Sequence, residues 1–98
     1  MTYEEILKIF KEKEFQNIRD IEEYFQQFGF ECEIDCCQWD DVSYVFTSPS
    51  SDAFFSVSVD PYCFFFHVYI WKNENEDYCT IFYDTEISRK KIEIYEYN

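Results

Sequence analysis

Glycine occurs once in this chain, at Gly29, and proline twice, at Pro49 and Pro61. No Gly-rich loop can therefore cradle a phosphate, and no flexible linker divides the sequence. Residues 1–98 read as one domain. Basic residues are missing over long stretches. Asp20 to Trp71 hold ten acids and no Lys or Arg, and residues 73–88 add five acids and no base. The net charge is −13. A field of that sign repels phosphates and argues against direct binding to nucleic acid. Long apolar runs are lacking too: the longest, Tyr62 to Trp71, is ten residues, too short to cross a bilayer as a helix. MTYEEILKIF lacks the basic start and apolar core of a secretory signal, so a cytoplasmic location is expected. There is no GxSxG, P-loop or HExxH pattern, and only one histidine, His67.

Aromatic residues are abundant instead, at 23 % of the chain, which argues against disorder despite the charge. Thr2 and Glu5 fit a capping box, and Ile6, Ile9, Phe10 and Lys13 follow at helical spacing, so residues 3–13 should be a helix. Asn17 suits an N-cap and Asp20 a first turn; Ile21, Tyr24, Phe25 and Phe28 make an apolar stripe, and Gly29 stands where a left-handed terminator belongs. Residues 18–28 should be a second helix.

From Phe30 the period changes to two. Strands are expected at 30–38, 42–48, 53–60, 62–72, 78–84 and about 90–97, joined by short turns. The expected fold is α+β: two N-terminal helices packed on an antiparallel five- to six-stranded meander sheet. Alternation in the fourth strand puts Tyr62, Phe64, Phe66, Val68 and Ile70 on one face, and Cys63, Phe65, His67, Tyr69 and Trp71 on the other. Strands apolar on both faces are covered on both. Helices cover one side; a curled sheet, a second copy or a partner must cover the other.

Five cysteines with no secretion signal read as reduced thiols acting as small apolar residues. Cys32 and Cys36 should share a strand face, as should Cys63 and His67, yet the usual CxxC spacing of a zinc site is absent. His67 within FFFHV reads as a half-buried strand residue. Paired carboxylates occur at Glu22–Glu23, Asp40–Asp41 and Glu31/Glu33/Asp35, which could serve hydrolysis or a divalent ion, but no EF-hand spacing accompanies them. No catalytic residue, metal site or cofactor is assigned, and an enzyme is not expected.

Residues 30–41, FECEIDCCQWDD, carry five acids, three cysteines and no base. Strand alternation would set Glu31, Glu33 and Asp35 on one face, roughly 7 Å apart at about 3.4 Å rise per residue. Such a row repels itself until a cationic partner relieves it. Phe30, Trp39, Tyr44, Tyr78 and Tyr83 lie among the acids as apolar anchors. The expected contact residues are Glu31, Glu33, Asp35, Trp39, Asp40, Asp41, Asp52, Asp60, Glu74, Glu76 and Asp77.

In FECEIDCCQWDD, in the base-free span 20–71 and in its small single domain, the chain resembles phage-encoded inhibitors of the anti-CRISPR and anti-restriction type, several of which mimic DNA. The resemblance is one of character, without a shared motif. It implies a stoichiometric inhibitor whose partner is a basic nucleic-acid-binding protein, a nuclease or CRISPR effector. It implies no direct nucleic acid and no membrane. Two alternatives share the same residues: an immunity or antitoxin-like protein neutralising a basic nuclease toxin, and a homodimeric structural or adaptor domain using the aromatic sheet face.

Overall fold

The structure, a computed structural model, describes residues 1–38, 41–60, 65–73, 79–85 and 94–97. Helix α1 spans Tyr3–Glu12 and begins with the expected reciprocal cap. The Thr2 hydroxyl accepts from the Glu5 N–H at 3.2 Å, and the Glu5 carboxylate accepts from the Thr2 N–H at 3.2 Å. Tyr3, Ile6 and Phe10 lie on its buried stripe. The helix stops at Lys13, whose backbone is extended.

Helix α2 spans Ile18–Gln26. The Asn17 side chain accepts from the Asp20 N–H at 2.9 Å, which satisfies a donor the helix itself leaves unpaired. At the other end the Phe30 N–H reaches the Phe25 carbonyl (3.3 Å) and the Gly29 N–H reaches Gln26 (3.0 Å). Those two bonds are a Schellman turn, and Gly29 supplies its left-handed residue at φ 84°. The Phe25 and Phe30 rings meet edge-on at 5.6 Å, the apolar contact that accompanies such a turn. Phe28, expected on the buried stripe, is instead 40 % exposed, because it lies beyond the helix within the turn.

The turn at Gly29 folds the chain back into an antiparallel sheet. Strands β1 (Glu31–Gln38), β2 (Asp41–Thr47), β3 (Phe54–Asp60) and β4 (Phe65–Trp71) lie side by side in chain order. Two further extended segments come after them, β5 (Cys79–Thr85) and β6 (Ile94–Tyr97). The chain is thus α+β, two helices with an antiparallel sheet.

Cross-strand register sorts the faces. Cys32, Phe46, Phe55 and Ile70 form one row, and Ile34, Tyr44, Val57 and Val68 the next. Phe46, Phe55, Ile70, Val57 and Val68 of these rows are buried together with Ile6, Phe10, Phe15, Ile21 and Phe25 from the helical layer. Phe55 sits at the centre, with its ring 4.5 Å from that of Phe25, 4.6 Å from Phe46 and 5.2 Å from Phe10. Burying aromatic side chains dominates the energetics of a core this small. The alternate residues Val45, Ser56 and Tyr69 make a row on the opposite face.

Candidate acidic interface

Strand β1 stands at one end of the sheet, and among the described residues it pairs only with β2. Helix α2 packs beside it, because the Gly29 turn is too short to carry the chain elsewhere. Glu22 and Gln26, one helical turn apart, therefore line a cleft of about 400 Å³ with Gly29, Phe30, Glu31 and Cys32. Glu22, Glu31, Glu33 and Asp35 are all exposed. Among the described residues no lysine or arginine forms an ion pair with any of the four; Arg19 pairs with Glu23 at 3.2 Å, on the surface of α2.

The thiol of Cys32 reports this environment. Burial pushes its pKa up to about 11 from 9.0, and the carboxylates of Glu22 and then Glu33 push in the same direction. A thiolate there would be partly desolvated and beside two negative charges. Cys32 is accordingly a poor nucleophile at neutral pH.

The expected regular row of three carboxylates is interrupted after Glu33. Ile34 pairs with Tyr44, but Cys36 pairs with Ser43, so Asp35 is an extra residue at a β-bulge. Glu31 and Glu33 keep the regular two-residue spacing, opposite Thr47 and Val45, while Asp35 falls out of the ladder. The bulge also reverses the parity of the remainder of β1. Cys36 pairs into a register set with Ser43, Ser58 and His67, whereas Cys32 belongs with Phe46 and Phe55. The expectation that Cys32 and Cys36 share one face is thereby corrected. Among the described residues no cluster of three metal-ligating side chains occurs. Cys63 lies outside them.

The other predicted contact acids divide between the two ends of the sheet. Asp52 is exposed in the turn from β2 to β3, at the end where Glu31 pairs with Thr47. Asp41 pairs with Gln38 and Asp60 with Phe65, at the opposite end. Trp39, Asp40, Glu74, Glu76 and Asp77 lie outside the described residues. Of the predicted anchors, Phe30 is corrected: only 4 % of it is exposed, because it closes the Schellman turn against Phe25 and belongs to the core. Tyr44 is half-buried, Tyr83 is placed by its backbone alone, and Tyr78 lies outside the described residues.

Two features are only partly legible in the sequence. Glu22 was legible only as part of a carboxylate pair; its nearness to Cys32 depends on α2 folding back over β1. The second feature is an aromatic stack on the sheet face away from the helices. The Phe54 and Trp71 rings lie 5.1 Å apart and 14° from parallel, and Tyr69 lies 6.0 Å from Trp71. Strand alternation was the signal for Tyr69 and Trp71, but only the register Phe54↔Trp71 adds the third ring.

Among the described residues no helix is long and apolar enough to cross a membrane. No protein-family model, curated protein or solved structure matches the chain.

Proposed function

We propose that this chain is a stoichiometric acidic inhibitor of the anti-CRISPR-like kind, which binds the basic nucleic-acid channel of a host nuclease complex in the cytoplasm. One observation carries the reading. Glu22, Glu31, Glu33 and Asp35 are open to solvent along the α2–β1 edge, and no cation among the described residues pairs with them. Uncompensated carboxylates on a rigid edge speed encounter with a positively charged surface and orient it. The bulge spreads the charge rather than removing it. Asp41, Asp52 and Asp60 extend the contact towards both ends of the sheet, with Trp39, Asp40, Glu74, Glu76 and Asp77 completing it. In this reading β5 and β6 continue the sheet beyond β4 as a six-stranded meander, supported by the register Phe65↔Thr85 through Trp71↔Cys79 and Cys79↔Tyr97 through Phe82↔Ile94.

The test is capture of partners from host lysate at low salt, with elution by rising salt and identification by mass spectrometry. The proposal expects basic nucleic-acid-binding proteins that elute early and that the triple variant Glu31→Lys, Glu33→Lys, Asp35→Lys fails to retain. Recovery of the same proteins by that variant overturns recognition by charge.

The stacked rings of Phe54, Trp71 and Tyr69 favour a second reading, a homodimeric adaptor that joins through the aromatic face. Light scattering separates the two, since a dimer held by stacked rings persists in high salt.

A further inference from the structure

We propose that the outer edge of β1 captures an extended segment of the partner as an added strand, and that this segment alternates basic and apolar residues. The inference rests on the partner being cationic and goes on to specify how it is held.

Three features combine. First, among the described residues β1 pairs on one side only: its partner is β2, and no other backbone hydrogen bond reaches Glu31–Ile34. An edge strand with one open side presents N–H and C=O groups at every second residue, a template for another extended chain. Second, the two faces of this edge differ chemically. Glu31 and Glu33 lie on one, while Cys32 is half-buried and Ile34 is 63 % exposed on the other. A strand added there sets its own side chains alternately beside carboxylates and beside apolar groups. Lys or Arg at i and i+2, with Val, Ile or Leu between, satisfies both faces. Glu22, across the cleft from Glu31, adds a further negative charge beside that strand's start. Third, the bulge at Asp35 interrupts the ladder, which resumes at Cys36 with the parity reversed, so the alternation of carboxylate and apolar positions holds over Glu31–Ile34 and the captured segment is about four residues long at its core.

Charge also decides the occupant. A second copy of this chain pairing β1 antiparallel to β1 about Cys32 would set Glu31 of each copy against Glu33 of the other. Like charges facing one another across strands are destabilising. The edge is therefore closed to itself and open to a cationic strand. An ordinary acidic surface patch would need only opposite charge; the alternation of charge with Cys32 and Ile34 asks for sequence pattern as well.

Three acetylated hexapeptides, each of three Arg and three Val, test this: alternating Arg-Val, a block isomer of three Arg then three Val, and the alternating peptide with every second backbone nitrogen methylated. Each is titrated into the ¹⁵N-labelled intact chain at low salt, with affinity and amide hydrogen exchange read together. The alternating peptide should bind about tenfold tighter than either control, a difference worth about 1.4 kcal/mol. It should also slow exchange of amides within Glu31–Ile34, with no effect of the methylated peptide. Equal binding of all three, or protection elsewhere in the sheet, overturns strand capture and leaves charge recognition standing. Failure of all three to bind overturns both.

Discussion

The rings of Phe46 and Phe55 lie 4.6 Å apart and 8° from parallel, stacked across the β2–β3 pair where those residues face one another in register. Phe55 also meets Phe10, Phe25 and Phe30, so one side chain ties both helices to the sheet. Phe55→Ala should cost about 3–5 kcal/mol, a large part of the stability of a domain this size. Urea denaturation monitored by tyrosine and tryptophan fluorescence measures it. Phe55→Leu, which retains most of the volume, should lose clearly less.

Gly29 allows a separate measurement of backbone cost. A Cβ built there would sit 3.4 Å from the Ser48 hydroxyl, an ordinary contact, so the side chain itself fits. The expense of Gly29→Ala is therefore conformational, about 1–2 kcal/mol for placing an L-residue at φ 84°. The urea midpoint should fall while the slope stays constant, and Gly29→Asn should fall less.

Cys32 ties pH to both reactivity and stability. Its folded thiol ionises at about 11, above the 9.0 of the unfolded chain, because burial and then Glu22 and Glu33 oppose the thiolate. Its contribution to stability is therefore intact below pH 9.0 and declines as pH rises towards 11. Alkylation at this position, read by peptide mass spectrometry, should trail that of an unfolded reference at pH 8. Glu22→Gln should lower the pKa and quicken the reaction; an unchanged rate would detach the carboxylate from the thiol.

Salt should act oppositely on the free chain and on its complexes. Like-charged neighbours on a surface cost roughly 0.2–0.5 kcal/mol each, and ions screen them. Raising ionic strength should therefore stabilise the free protein by an amount that Glu33→Gln diminishes, as thermal denaturation in graded NaCl would show. Binding to a cationic partner should weaken over the same range.

The helices are legible because their signals are local. Thr2 with Glu5, Asn17 with Asp20, and the lone glycine mark their ends without reference to the rest of the chain. The α+β class comes from the change of period at Phe30. The acidic row misleads because alternation in FECEIDCCQWDD is unbroken, and nothing in it marks Asp35, neither glycine nor proline, as the residue the ladder leaves out. That choice is made by pairing with β2. Phe30 misleads for a related reason: as the residue after Gly29 it belongs to a helix terminus and to the strand at once, and the turn claims it for the core. The exposure of Ile34 depends on how far the helical layer extends over β1, which no local pattern encodes.

Pairing on either side of Asp35 runs on as though that residue were not there: Ile34 takes Tyr44 and Cys36 takes the next partner, Ser43. Chain length and strand alignment are uncoupled at this one point. Excising Asp35 should let the two halves of β1 close up with every remaining residue keeping its neighbour across the sheet, whereas removing Glu33 would shift one half of β1 against β2.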